Sequence, residues 1–217
     1  TDSFSQSVLL ASGGYASNPD MFYELSGYKQ YGIRSYPYSQ GDGYVMAMAA
    51  GGYALGKENY RCGSPYIMSS NAEPAAPDTR FITYPDRRLP WEIQVNVRGE
   101  RYVAEDNPLH DARELGLAKQ PDLRNWLIFD QAILDASPIG IDGWTKQDFA
   151  EAFESHPMFF KAETVADLAD LSGLDARGLI RTVERYNQFQ ADGADADHGR
   201  KYMPLPIIKA PFYAIRQ

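Results

Sequence analysis

The stretch Ser7–Tyr15, SVLLASGGY, decides the fold that we expect for this chain. Its first part, Ser7–Ala11, is typical of a buried strand in an α/β sheet, and a serine and two glycines follow it. Gly13 and Gly14 allow a sharp turn and a close approach of the backbone to a bulky group. Ligands of open α/β sheets bind beyond the carboxyl ends of strands, so we predict a ligand at these glycines. Such a strand needs neighbours, and we therefore expect the chain to be part of a larger protein.

Two helices are predicted after this strand. Asn18–Asp20 opens the first, which runs to Leu25, because proline suits the first helical position. The second follows Gly41-Asp42-Gly43 and carries apolar residues on one face. Asp42 stands at the predicted N-cap, where it either caps the helix or also contacts a ligand, since helix N-termini attract polar ligand atoms.

Composition and charge narrow the class of protein. The chain has 217 residues, enough for one domain or slightly more, and a formal net charge of −8. An acidic balance argues against nucleic acid and against an anionic membrane as partners. The single cysteine, Cys62, cannot form an intrachain disulfide, which fits a cytoplasmic protein. No apolar run of membrane-spanning length occurs in these residues, and the three histidines and one cysteine have no metal-ligand spacing.

The second half of the chain predicts a mixed domain of strands and helices. Five prolines between residues 60 and 91 indicate a loop-rich boundary. Apolar and polar residues then alternate over 92–97, Arg98-Gly99 offers a turn, and 100–105 returns as the second strand of a hairpin. A buried strand is predicted within 125–134, and residues 191–200 indicate a mobile acidic loop.

Helix signals in this half are explicit. Thr145 with Asp148 has capping-box spacing, and His156-Pro157 ends that helix. Two further helices lie within 159–189, the first ending at Gly173 and the second capped by Asp175. Their predicted apolar stripes are Val165, Leu168 and Leu171, and then Leu179, Ile180, Val183 and Tyr186. We assign these helices to packing.

Four blocks of the chain resemble, in the same order, the flavoproteins related to fumarate reductase and succinate dehydrogenase, including tricarballylate dehydrogenase and the 3-ketosteroid dehydrogenases. The blocks are VLLASGGYASNPDM (8–21), GDGYVMAMAAGG (41–52), VNVRGERYVAED (95–106) and KAETVADLADLSGLDARGLIRTVERYNQF (161–189). The resemblance implies an α+β fold: the capping (substrate) domain of such a flavoprotein with a small piece of its α/β FAD-binding domain. It places the partial FAD-binding domain at 1–59, the capping domain at 60–203 and a segment returning toward the FAD domain at 204–217.

The same resemblance implies an FAD-dependent oxidoreductase that transfers a hydride between the flavin and a C–C bond of a small organic substrate. The cofactor-contacting positions that it implies are Ala11, Ser12, Gly13, Gly14, Asp42 and Gly43. The implied catalytic residues are Glu105, His110 and Arg113, because such chemistry needs groups that grip the substrate and move a proton. Each has a simpler alternative: a solvated strand-end acid, a helix-terminal histidine and an arginine on a solvated helix face. Tyr84, Arg87 and Arg88 are weaker candidates, the two arginines more simply a loop charge pair.

Two departures from the family pattern shape the expectation. Dicarboxylate-using members carry a His-Pro element after the GDG helix, whereas Ser64-Pro65 stands here, so a tricarboxylate or a steroid-like ketone is favoured over fumarate. No G-x-G-x-x-G follows a strand, so we expect this chain alone to bind FAD weakly or not at all, and to be inactive without the missing FAD-domain segments. An electron-transfer partner is also expected. The alternative function is a free-standing α+β module that binds a small molecule without redox activity.

Overall fold

The computed structural model describes residues 7–56, 63 and 65–217. The chain divides into two compact units, Thr1–Tyr60 and Arg61–Gln217, which we call unit 1 and unit 2. Residues 204–217 lie in unit 2 together with 61–203. Cys62 and Ser64 lie outside the described residues.

The described residues of unit 1 form two helices, α1 (Pro19–Ser26) and α2 (Asp42–Ala49). The first is confirmed, with Pro19 at its first position as predicted. The Asn18 side chain accepts a hydrogen bond from the Met21 amide, and Gly27 ends the helix with φ 76°. The second begins one residue earlier than predicted. Its N-cap is Gly41, with φ 93° and no side-chain capping bond, so Asp42 is the first helical residue and not the cap.

The predicted strand Ser7–Ala11 is absent from the structure. These residues have no strand conformation and are exposed. A strand exists only where a neighbour completes its hydrogen bonds, and the described residues of unit 1 form no strand that could do so. The apolar face predicted for α2 is likewise not packed in unit 1, because Val45 and Met48 are exposed and only Gly43 is buried.

Unit 2 is built on a four-stranded antiparallel sheet. Its strands are β3 (Ile93–Val95), β4 (Trp126–Asp130), β5 (Phe159–Ala162) and β6 (Phe212–Arg216), in the spatial order β3-β4-β6-β5. A separate pair is formed by β1 (Ile67–Met68) and β2 (Pro77–Thr79). All five residues of β4 are buried, which confirms the strand predicted there. The core therefore lies around β4 and β6, which pair over their whole length.

The described residues of unit 2 also form five α-helices: α3 (His110–Ala118), α4 (Gln131–Ala136), α5 (Lys146–Ser155), α6 (Val165–Ser172) and α7 (Ala176–Asp192). The capping box of Thr145 and Asp148 is confirmed, as are the glycine end of α6 and the Asp175 cap of α7. The prediction that Leu171 belongs to the buried apolar stripe of α6 is wrong. Leu171 is 61% exposed, because α6 turns Leu168, Ala169 and Ser172 toward the core instead.

The predicted hairpin is only partly present. The turn exists, since the Gly99 amide donates to the Asn96 carbonyl at 2.9 Å, but Val95 and Arg101 form a single bridge and 102–105 is not a strand. β3 takes β4 as its partner instead. The polar residues of the alternation, Glu92, Gln94 and Asn96, are buried with their apolar neighbours. The alternation therefore separates an apolar face from a polar buried face, and not from solvent.

The segment predicted as a mobile acidic loop is held by buried polar groups. Within 191–200, Asp195 and Arg200 are buried, and the Asp195 carboxylate accepts the amides of Asp197, His198 and Arg200 at 3.1–3.3 Å. The Arg200 guanidinium donates to three backbone carbonyl groups, those of Pro90, Glu92 and Tyr202. Its small and acidic composition indicated a solvated loop, but these contacts tie it to the start of β3.

The first turn of α7 packs directly against the 96–99 turn. A side chain at Gly178 would collide with the Arg98 carbonyl oxygen, which is backbone and cannot rotate away. We expect Gly178→Ala to reduce the free energy of unfolding by about 2–3 kcal/mol, measured by urea denaturation. Gly116→Ala is the matched control, because that helical glycine has its nearest neighbour at 3.5 Å and should gain up to about 1 kcal/mol in helix propensity. Equal stability of the two variants would contradict this packing.

Candidate functional site

The glycine positions of unit 1 that are far apart in sequence lie together. The Gly41 amide donates to the Gly14 carbonyl at 3.1 Å, and Ser17 and Ser39 are joined by a further backbone bond at 3.0 Å. A side chain at Gly43 would meet the Ser12 hydroxyl group. The 11–14 turn is therefore held beside the start of α2.

This arrangement can hold polar atoms of a cofactor. Gly41 contributes no side-chain cap, so the first amides of α2 have no side-chain acceptor. A Cβ atom added at Gly14 would have no neighbouring atom within 4 Å, and Asp42 is exposed. These groups fit contacts to polar atoms of FAD. The chain has no G-x-G-x-x-G turn for the pyrophosphate, so the fit covers one part of the cofactor only.

In unit 2 the predicted catalytic residue Glu105 lies inside a buried ion cluster of Arg101, Glu105, Asp195 and Arg200. The Glu105 carboxylate is 0% exposed. It accepts hydrogen bonds from Arg101 Nε at 2.9 Å and Arg101 Nη2 at 2.7 Å. It also accepts one from the backbone N–H of Gln94 at 3.0 Å, and Arg200 Nη1 lies 3.2 Å away. Arg101 Nη2 also donates to Asp195 at 2.8 Å. Two cations and two carboxylates therefore neutralise one another, and the solvated alternative for Glu105 is wrong.

This cluster fixes the protonation state of Glu105. Burial acts to raise its pKa, but the charges of Arg200 and Arg101, with the hydrogen bonds from Arg101 and the Gln94 amide, outweigh burial and hold the pKa below its ordinary 4.5. The pKa of Asp195 is lowered in the same way, against burial, mainly by Arg101. Next to the cluster, burial raises the pKa of Tyr186 to about 12. Glu105 is therefore an anion over the physiological range.

The other two predicted catalytic residues share a separate cleft. His110 and Arg113 stand three residues apart on one face of α3. The α3 cleft is lined by Pro65, Thr83, Gln94, Tyr102, His110, Arg113, Glu114 and Leu117. Glu105 is outside this lining, but its carboxylate accepts a hydrogen bond from the backbone N–H of Gln94, which is one of the lining residues. The structure thus brings together two of the three residues.

Arg113 carries an unusual buried charge. It is 9% exposed, its Nη1 donates to the Thr83 carbonyl, and its Nε has no hydrogen-bond partner among the described residues. Nor does it form an ion pair within the described part of the chain, unlike the buried Arg88, which pairs with Glu92 at 2.9 Å. Burial lowers the pKa of Arg113, against the opposing charges of Tyr84, Asp86 and Glu114. The alternative of a solvated helix face is wrong for this residue.

His110 occupies the rim of the cleft. It is exposed and is the first residue of α3, whose N-cap, Leu109, provides no side-chain bond. Its ring stacks on Tyr84 with centroids 4.2 Å apart and an interplanar angle of 17°. The weaker candidate Tyr84 therefore lies next to the cleft, whereas Arg87 pairs with Asp142 at the surface and Arg88 with Glu92 in the core. Arg87 and Arg88 therefore have separate partners and do not form the loop charge pair suggested by the sequence.

The α3 cleft is small in unit 2. It encloses about 20 Å³, which accommodates a water molecule but no organic substrate. Its chemistry nevertheless combines a buried cation, an imidazole and the hydroxyl group of Tyr102, which donates to Gln94 at 3.1 Å. Such groups can bind and polarise an oxygen atom of a ligand that closes the cleft from outside.

Comparisons with known proteins identify the family to which this chain belongs. A model of the FAD binding domain family matches residues 2–217. The chain belongs to this family. It is a flavoprotein family whose curated members include fumarate reductases, so the recognition made from the four sequence blocks is confirmed.

Individual relatives agree with the family assignment. The chain is 27% identical over 212 residues to a protein of Shewanella frigidimarina named "Probable fumarate reductase", covering 97% of this chain and 33% of that protein. It is 32% identical over 123 residues to the 3-oxosteroid 1-dehydrogenase of Mycobacterium tuberculosis, covering 53% of this chain and 22% of that protein. The open conformation of a flavocytochrome c3 fumarate reductase superposes with a TM-score of 0.61 at 25% identity, covering 97% of this chain and 34% of the other. The chain therefore spans about a third of the length of the first of these relatives.

Two further observations concern other classes of site. Among the described residues of this FAD binding domain family member, no group of three or more His, Cys, Asp or Glu is placed to hold a metal ion. None of the helices in the described part of the chain has the length and apolarity needed to cross a membrane.

Proposed function

We propose that this chain is part of an FAD-dependent oxidoreductase that transfers a hydride between the flavin and a C–C bond of a small organic substrate. The family match over residues 2–217 carries the proposal. The named relatives include both a reductase and a dehydrogenase, so the direction of the reaction stays open. Bound FAD would accept or donate the hydride, and the chain would supply substrate binding and proton transfer.

In this proposal unit 1 belongs to the FAD-binding domain and unit 2 is the capping domain. Ala11–Gly14 and Asp42–Gly43 contact the cofactor, supported by the backbone bond that joins Gly14 to Gly41. A sheet covered by helices, with a cleft of only about 20 Å³, supports a cap that completes its site against another surface. The proposed partners are accordingly the remaining FAD-domain segments, a small-molecule substrate and an electron-transfer protein. A cytoplasmic location, drawn from the single cysteine, belongs to the same proposal.

The three catalytic candidates receive different roles. Arg113 binds and polarises a substrate oxygen, because it is a buried cation without a carboxylate partner among the described residues. His110 holds or moves a proton at its imidazole, at the rim where substrate enters. Glu105 remains an anion and accepts a hydrogen bond from the backbone N–H of Gln94. It therefore acts indirectly, by positioning Gln94 in the cleft.

We predict that the 217 residues alone bind FAD weakly or not at all, because the chain lacks the turn that seats the pyrophosphate. The measurement is a titration of the purified chain with FAD, followed by quenching of flavin fluorescence. A dissociation constant above about 10 μM is expected, against the far tighter binding typical of a complete dinucleotide site. Stoichiometric flavin that survives gel filtration would contradict the prediction.

The proposed function is tested in the longer flavin-containing protein, obtained by expressing this chain together with the segments that complete the FAD domain. The purified protein is examined for a flavin spectrum and then for turnover, with a reduced dye as electron donor and an oxidised dye as acceptor. Tricarboxylates, unsaturated acids and 3-ketosteroids are the substrate panel. An assembled protein without flavin refutes the proposal, and tight binding of a small molecule by the chain alone would favour the non-redox binding module.

A further inference from the structure

Three basic side chains converge on the ring of Tyr84. The His110 ring stacks on it at 4.2 Å, and the Cζ atom of Arg113 lies 5.5 Å from its centroid. The Cζ atom of Arg80 lies 5.1 Å from the same centroid, and Arg80 Nη2 donates to the Tyr84 hydroxyl group. Tyr84 itself is not part of the cleft lining. It lies behind the two residues that the cleft uses.

These contacts matter because His110 and Arg113 have few hydrogen-bond partners among the described residues. Arg113 is fixed by the Thr83 carbonyl alone among hydrogen-bond acceptors, and its Nε has none in the described part of the chain. His110 is exposed at a helix start without a side-chain cap. An exposed side chain with no contact samples several rotamers, whereas a stacked ring holds one. The Tyr84 ring is therefore the common surface that orients both groups.

The backbone at Tyr84 is itself well anchored. Its carbonyl accepts from the amides of Arg87 and Arg88 at 2.9 Å each. Arg88 is locked by its buried pair with Glu92 and by a bond from Nε to the Pro138 carbonyl at 3.1 Å. The preceding residue, Thr83, is buried and binds Arg113. The dipeptide Thr83-Tyr84 thus presents a rigid carbonyl and a rigid ring to the same guanidinium.

We propose that Tyr84 is a positioning residue of the α3 cleft, whose aromatic ring holds His110 and Arg113 in one fixed arrangement toward the substrate. This inference rests on the proposed function, because it gives the two residues their catalytic purpose. The ring, and not the hydroxyl group, carries the role, since stacking and cation–π attraction both require the aromatic face.

The test compares Tyr84→Phe, which keeps the ring, with Tyr84→Leu and Tyr84→Met, which remove it. In the 217-residue chain, NMR of the His110 imidazole reports the stack without any flavin. We expect its ring protons to keep their shifts in Tyr84→Phe and to lose the ring-current shift in the two aliphatic variants. Tyr38→Leu, at an exposed tyrosine of unit 1, is the matched control. Two aliphatic variants are used so that a folding failure of one leaves the comparison intact.

The second arm is turnover in the flavin-containing protein. We expect kcat to fall about 10- to 100-fold in Tyr84→Met and less than about 3-fold in Tyr84→Phe, because misplacement of a catalytic group by about 1 Å costs up to 10²-fold. Unchanged His110 shifts in the aliphatic variants, or equal losses of kcat in Phe and Met, would overturn the inference. If the longer protein has no flavin activity, the proposed function fails while the NMR result still decides the stack.

Discussion

Glu105→Gln should destabilise the protein by about 3 kcal/mol, because it leaves Arg200 as a buried cation with no carboxylate partner. Arg200 is fully buried, and Glu105 is its ion-pair partner in the described structure. Arg101 keeps Asp195 at 2.8 Å, and three backbone carbonyls remain on Arg200, which holds the expected loss at the lower end for such a change. The melting temperature should fall by about 6–12 °C, measured by circular dichroism.

Glu163→Gln is the control for this measurement, since it makes the same chemical change at an exposed position. It should alter the free energy of unfolding by less than about 0.5 kcal/mol. The resemblance placed Glu105 among the catalytic candidates, whereas its burial in the ion cluster predicts a large loss of stability on substitution. A Glu105→Gln variant as stable as Glu163→Gln would show that the cluster contributes nothing.

The pH dependence of stability follows from the same cluster. A carboxyl group whose pKa is lower in the folded than in the unfolded state stabilises the fold above its unfolded pKa, and this is lost as the pH falls through its folded value. Glu105 and Asp195 both have lowered pKa values, with ordinary values of 4.5 and 3.8. The unmodified chain should therefore lose stability below about pH 4.5. Glu105→Gln should lose less over the same range, because one of the two groups is already absent.

The fold was largely predictable wherever local signals decide it. Caps act within three or four residues, so the starts of α1, α5 and α7 could be placed from Asn18, Thr145 and Asp175. Strands depend on partners distant in sequence. Ser7–Ala11 has the composition of a buried strand and forms none, whereas β6, for which no strand pattern was identified in the sequence, lies between β4 and β5. The composition of a segment indicates its preference for the strand conformation, but a strand forms only where a neighbouring strand pairs with it.

The candidate site was predictable in part for a similar reason. The resemblance grouped His110 with Arg113, and in the structure their three-residue spacing on α3 brings both into one cleft. The role of Glu105 depended on Arg200, 95 positions later, in a segment whose small acidic residues indicated a solvated loop. No local pattern marks an arginine that will be buried. The one available signal was the polar side of the 92–97 alternation, whose buried face requires hydrogen-bond and charge partners from elsewhere.

Arg113→Gln should have the opposite profile to Glu105→Gln. The change removes a buried cation that has no ion-pair partner among the described residues, so the lost bond to Thr83 is offset by the relief of desolvation. The free energy of unfolding should change by less than about 1 kcal/mol. In the flavin-containing protein, kcat should fall about 10²- to 10³-fold, the range measured when a preorganised donor to a developing charge is removed. Urea denaturation and steady-state kinetics give the two values.

Arg177→Gln, at an exposed position of α7, controls for the loss of one positive charge and should leave both values unchanged. The contrast between Glu105 and Arg113 distinguishes a charged side chain with a structural role from one with a functional role. Removing a charged side chain that is fully paired inside the protein lowers stability, because its partners remain buried without it. Removing one whose partner is the substrate lowers activity instead. If Arg113→Gln unfolds the chain, or if turnover survives its loss, Arg113 does not bind the substrate and the α3 cleft is not the site of the reaction.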